Sequence, residues 1–331
     1  MSNRAAYGGQ AVIEGVMIRG KSRVATACRL KDGTVTVRRE AADTLAGRHP
    51  IWRLAFLRGT PALIDSLRLG YRTLMWSADL AMEGEEDQPK PTPLQLILTF
   101  AGAMAIGIGI FVLIPTWLTH WLSATLFPGV KLASHAGATL WEQLTPTREA
   151  LVPNTIEGLV RVVFLVLYIL AIGTGKEIRR VFAYHGAEHK VVNAWEATGE
   201  LTLETARGFS RIHPRCGTSF LFLTFVVGIL IHALIGWPEH HGIRMLSRLI
   251  LLPFVAGTAY ELIRLAGRFR ESNLLKVLVW PGMLLQRLTT AEPTDDQIEV
   301  ALTAMRNVLE EEGELPADDS GAAPLTSVIV V

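Results

Sequence analysis

The chain has 331 residues, of which 50% are hydrophobic and 19% charged, and its formal net charge is +1. So low a share of charge argues against a soluble enzyme of this length, and the near-neutral balance, with no long basic tract, argues against a nucleic-acid binder. Cys28 and Cys216 are too far apart to form a disulfide framework and point to a reducing compartment.

The start of the chain lacks the apolar core and cleavage site of a secretory signal, and is expected to be mature protein. GGQAVIEGVMIRG (8–20) leans towards β structure, with glycines at both ends. Either these glycines let backbone approach a ligand, which would make Gln10 and Glu14 functional, or the run is a strand with bulges. It is not a phosphate-binding loop, because the lysine and following hydroxyl are missing. RVATACRL and TVTVRRE alternate apolar with polar residues around Lys31-Asp32-Gly33 and predict a β-hairpin. From 51 to 80 the pattern turns helical. Leu57, Ile64, Leu67, Tyr71 and Leu74 recur at helical steps with Arg58, Arg68 and Arg72 between them. Such a basic amphipathic helix either lies in a membrane interface or covers the small sheet. The acidic MEGEEDQPKPTP reads as a linker.

Four apolar stretches follow, at 94–121, 151–175, 217–237 and 246–267, each near or above the roughly 20 residues that cross a bilayer. Lysine and arginine crowd the segment before the first stretch, the connection 176–215 and the segment after the fourth. The other two connections hold few. The positive-inside rule therefore places both termini and the middle connection in the cytoplasm, in a multi-pass membrane protein. NLLKVLVWPGMLLQRLTT is too short and proline-broken to cross, and is expected to be re-entrant or interfacial. PTDDQIEVALTAMRNVLEEEGEL predicts a soluble helix capped near Asp295 or Asp296, with Ile298, Leu302, Met305 and Leu309 on one face. The last residues read as a mostly disordered tail. The expected fold is an α-helical membrane protein with about four transmembrane helices. Residues 1–93 form an N-terminal cytoplasmic β/α region, 94–285 the membrane domain, and 286–331 a C-terminal cytoplasmic helix and tail.

The middle connection carries the candidate chemistry in YHGAEHKVVNAWE. On a helix His185 and His189 lie one turn apart on one side, as two imidazoles must to hold one zinc ion. HGAEH fits H-x-x-E-H, the inverted zinc-peptidase pattern, in which Glu188 would be the catalytic base. Asn193 and Glu196 extend the same polar side and could orient a histidine or ligate. A hydrolytic site needs a third ligand, and HPRCG offers His213 and Cys216 just before the third apolar stretch. Glu261, near the inner end of the fourth, is a further candidate because ionisable groups at that depth tend to be functional. Against these stand plainer readings. Cys216 could be a small core residue, Glu261 could pair with Arg264, Glu157 with Arg161 forms an i,i+4 pair, and His232 reads as a core histidine.

GGQAVIEGVMIRG, YHGAEHKVVNAWE, HPRCGTSFL, PGMLLQRLTT and PTDDQIEVAL, in this order, resemble the YqhQ-like bacterial membrane family, of unknown function and sometimes described as predicted metal-dependent enzymes. The resemblance spans nearly the whole chain and implies an integral membrane protein of bacterial type, expected in the inner membrane. It carries over Gln10, Glu14, His185, Glu188, His189, Asn193, His213, Arg215 and Cys216 as motif residues, without supplying a substrate. Three functions stay open. The first is a metal-dependent hydrolase with a divalent ion, expected to be zinc, at the cytoplasmic membrane face. The second is a non-catalytic scaffold or assembly factor with a closed structural metal site. The third, a transporter, would require an oligomer. The bilayer is the expected partner, together with a homo-oligomer or another membrane protein.

Overall fold

A computed structural model describes residues 7–45, 50–82, 92–126, 148–234, 241–268, 272–315 and 328–330. Its N-terminal part is an antiparallel meander of β1 (Gly8–Val12), β2 (Gly15–Arg19), β3 (Arg23–Arg29) and β4 (Val35–Ala41). The run 8–20 is thus two strands rather than one bulged strand, turning at Ile13-Glu14, where Val12 faces Gly15 and Glu14 has φ 50°. The predicted hairpin forms as β3 and β4. Its turn is fastened by Asp32, whose Oδ1 accepts from the Thr34 amide at 2.8 Å. A fifth strand, β5 (Val328–Val330), lies parallel to β4, so the end of the expected tail is in part ordered by the sheet. The linker at 83–91, the outer connection at 127–147 and the tail at 316–327 lie outside the described residues.

After a short 3-10 turn (Pro50–Arg53), α1 (Gly59–Met82) lays its small polar face on the sheet. Gln10 Nε2 reaches Thr73 Oγ1 at 2.9 Å, and the Ile13 amide donates to Ser77 Oγ at 3.2 Å. The apolar face, Leu67, Tyr71 and Leu74, stays exposed. The helix thus covers the sheet on one side, as the second reading of its pattern expects, and presents its apolar side outwards.

The first apolar stretch is α2 (Pro93–Ile108), a π turn (Gly109–Leu113) and α3 (Ile114–Leu126). The second is α4 (Arg148–Ile172) and the fourth α8 (His241–Arg268). These supply three helices long and apolar enough to cross a membrane, 101–119, 152–172 and 242–266. The third stretch gives α7 (Gly217–Ala233), a shorter helix of 17 residues, about 26 Å at 1.5 Å per residue. Leu246, Leu249 and Ile250 on α8 point outwards, as lipid-facing side chains do. NLLKVLVWPGMLLQRLT is one helix, α9 (Asn273–Thr289), continuous through Pro281 and packed along α7.

Between α4 and α7 the chain forms α5 (Lys176–Thr198) and the short α6 (Leu203–Arg207). The last helix, α10 (Asp295–Glu311), starts where expected, with Asp295 and Asp296 in its first turn. Thr294 is the N-cap, and Gln297 reaches back to accept from the Thr294 amide at 3.0 Å in a capping box. Ile298, Leu302, Met305 and Leu309 are all buried. They meet Val16, Ile18 and Ala27 of the sheet and Ala187, Val191 and Trp195 of α5 in one core. Three segments distant in sequence therefore share the body that carries the histidines.

Candidate functional site

The inner half of α5 is buried from Ala183 to Trp195 apart from His185 and Asn193, so its polar groups are held in protein rather than on a solvated face. Gly186 makes this possible. A Cβ there would come within 2.2 Å of the Ala291 carbonyl, so the segment after α9 can press directly on α5. That closeness fixes His185, whose Nδ1 lies 2.9 Å from the Thr289 carbonyl. His189 is held in the same way, its Nδ1 lying 2.7 Å from the Arg211 carbonyl. With a carbonyl at each Nδ1, the proton is drawn there and both Nε2 lone pairs are left for a ligand, the arrangement in which histidines bind metal.

Cys216 is the N-cap of α7 and brings its sulfur to 3.2 Å from His185 Nε2. Donor atoms of His185, His189 and Cys216 all lie within 4.8 Å of one another, close enough to surround one ion. The rings of the two histidines are 4.4 Å apart. His213 stands aside from this set. Its ring is 5.8 Å from that of His189 and its Nε2 faces Glu196 at 3.6 Å. Burial pushes the His213 pKa down to about 4 and keeps the ring neutral at pH 7.

Glu188 is 3% exposed and places Oε2 3.4 Å from His189 Nε2. Burial pushes its pKa up to about 7, with His185, the Gly9 amide and Arg215 pulling the other way. Gly9 is a second close approach: a Cβ would lie 3.1 Å from Glu188 Cγ and 2.1 Å from the Met17 carbonyl. A cavity of about 500 Å³ opens beside this group, walled by Tyr7, Gln10, Glu188, His189, Arg215 and Cys216 among others. The arrangement offers convergent soft and imidazole donors, a carboxyl that titrates near neutrality, and a guanidinium on one hollow.

The other sequence candidates divide. Asn193 donates to the Ser210 and Ile212 carbonyls at 2.8 and 3.1 Å and so shapes the loop that carries His213. Glu196 pairs with Arg215, whose guanidinium also donates to the Tyr7 carbonyl at 3.2 Å. Burial works against the Glu196 carboxylate, but the neighbouring His213 and Arg215 outweigh it and hold its pKa down to about 2. Gln10 lines the cavity while tying β1 to α1 through Thr73 and the Gly70 carbonyl. Glu14 is elsewhere. It takes Arg180 Nε at 2.6 Å and the Tyr184 hydroxyl at 3.2 Å, locking the β1–β2 turn to α5. Glu261 is also elsewhere, paired with Arg58, whose Nε lies at 2.5 Å. The expected pairing with Arg264 is replaced because the 3-10 turn and α1 bring Arg58 onto α8.

Sequence reasoning missed Gln286. Its Oε1 accepts from the His213 amide at 2.9 Å, and its Nε2 donates to the His213 carbonyl at 2.8 Å and to Ser219 Oγ at 2.7 Å. Fully buried, it clasps the turn that presents Cys216. Its signal lay in the PGMLLQRLTT motif, where a glutamine interrupts an apolar helix. The carbonyls of Thr289 and Arg211 carry no such signal.

Residues 54–311 match a family described as "Protein of unknown function (DUF1385)". The chain is 32% identical over 315 residues to the uncharacterized protein YqhQ of Bacillus subtilis (strain 168), covering 92% of each. No solved structure matches.

Proposed function

The chain belongs to this family of unknown function, and from its site we propose that it is a metal-dependent hydrolase of the bacterial inner membrane, with its active centre at the cytoplasmic face. In this reading α7 is a fourth span beside the three longer ones, both termini are cytoplasmic, and the ion is zinc. The observation that carries it is the convergence of His185 Nε2, His189 and Cys216 with both histidines oriented through Nδ1. Two imidazoles and a thiolate would suit zinc, and a set of three protein ligands is the number that hydrolytic zinc sites use.

Held by His185, His189 and Cys216, a zinc ion would supply Lewis acidity and make a bound water easier to deprotonate. The chain's own groups do the rest. Glu188 accepts a proton from the attacking water and returns it to the leaving group, a role that favours a carboxyl titrating near pH 7. Arg215, steadied by Glu196, presents positive charge on the cavity wall where an anion would develop. His213 and Gln286 hold the turn that presents Cys216. At the cytoplasmic membrane face assigned by this reading, a peptide or lipid substrate would suit the location.

The test uses detergent-solubilised protein. His185→Ala, His189→Ala and Cys216→Ser should each lose the metal measured by elemental mass spectrometry. Glu188→Gln should retain it and lose turnover in a hydrolase screen. Metal lost on Glu188→Gln would make that residue a ligand and remove the base from the scheme.

A further inference from the structure

At the far end of α7 from Cys216, about 24 Å along the helix at 1.5 Å per residue, a second buried polar group lies between α4, α7 and α8. Glu157 is 2% exposed and Arg248 8%. Arg248 lies 3.3 Å from Glu157 Oε2 and donates to Asn154 Oδ1 at 2.6 Å, while Arg161 and Thr116 meet the other carboxylate oxygen. Two guanidiniums thus share one carboxylate. They wall a cavity of about 220 Å³, which also receives His232. At about 30 Å³ per water, that space holds a tetrahedral oxyanion and part of its hydration shell.

Among the described residues on this wall, Arg161 Nε and His232 Nε2 have no hydrogen-bond partner. His232 is 8% exposed, and its other nitrogen is engaged by the Gly228 backbone. An N–H that can only donate and an imidazole nitrogen, both buried on the lining of this cavity, call for a ligand with several oxygens. Guanidinium forks match phosphate and carboxylate oxygens, and Glu157 already fills a carboxylate's place between them. Ionisable groups at this depth in apolar helices mark ligand pathways more often than they stabilise.

We propose that this cavity binds a phosphate-class oxyanion, either free phosphate or the headgroup of an anionic phospholipid, with Arg161 and Arg248 as its clamp and His232 closing the far side. The site is separate from the histidine–cysteine cluster and does not depend on its chemistry.

The full-length chain in detergent is tested with radiolabelled orthophosphate by equilibrium dialysis, and with phosphatidylglycerol by native mass spectrometry. Saturable orthophosphate binding supports the free ion. Retention of phosphatidylglycerol alone supports the lipid. Arg161→Gln and His232→Leu should each weaken whichever ligand binds by about tenfold, the scale of one charge-assisted hydrogen bond. Glu157→Gln removes the competing carboxylate and should tighten binding, a gain that misfolding cannot produce. A wild-type chain that binds neither probe overturns the proposal. So do variants that bind as tightly as the wild type.

Discussion

The two buried polar centres of this molecule are built on opposite principles. Around α5, His185 and His189 are each fixed by a backbone carbonyl, and their outer nitrogens converge with Cys216. Between α4, α7 and α8, full charges face one another, and the two guanidiniums of Arg161 and Arg248 share the one carboxylate of Glu157. The first centre rests on the dense core shared by the sheet, α5 and α10. The second sits among helices whose outer faces are apolar and exposed. Orientation by backbone leaves donor atoms available to a ligand, whereas pairing between side chains consumes them and leaves only a residue of donors at the edge. A buried polar cluster is thus informative through which atoms are left over rather than through its charge.

The contrast can be broken most severely at Glu157. Glu157→Leu leaves Arg161 and Arg248 without the carboxylate they share and should cost about 3–5 kcal/mol in thermal unfolding of the solubilised protein. Metal content at the histidine centre should be unchanged in the molecules that remain folded.

Acid should act on the other centre. The Glu196 carboxyl is held near pKa 2 in the fold against an ordinary value of 4.5, so its contribution is fully present above about pH 4.5 and is lost as pH falls through 2. At 1.36 kcal/mol per unit this is about 3 kcal/mol, and Glu196→Gln should flatten that part of the stability–pH curve. Gly186→Ala should come next, at about 1–3 kcal/mol, because its Cβ must push the Ala291 carbonyl away. That shift pulls Thr289 from His185, so metal affinity should fall while circular dichroism stays native. The smallest effect is expected at Arg180, which is 58% exposed in its side chain. Arg180→Ala should cost no more than about 1 kcal/mol despite its two-pronged contact with Glu14.

Much of the fold was legible where a short-range pattern decides it. The β3–β4 hairpin, the long apolar helices and the buried stripe of α10 follow from alternation, length and helical spacing. The histidine pair was legible because four residues on a helix fix the geometry, and Cys216 because it stands in the HPRCG turn directly before an apolar helix. What the sequence did not reveal depends on long-range contact. Nothing local says that Arg58 takes Glu261, that Glu14 faces Arg180 rather than the histidines, or that α10 and the sheet share a core with α5. Arg248 and Glu157 are 91 residues apart and become neighbours only when α4 and α8 pack. Gln286 likewise acquires meaning only beside the HPRCG turn.

The measurement that tests the central claim most directly is the metal content of the purified full-length chain, reconstituted with zinc under reducing conditions, beside His189→Ala and Cys216→Ser. The account predicts close to one zinc per wild-type chain and none in either variant. A wild-type chain without metal, or variants that keep it, would contradict the assignment of His185, His189 and Cys216 as the centre of this protein's function.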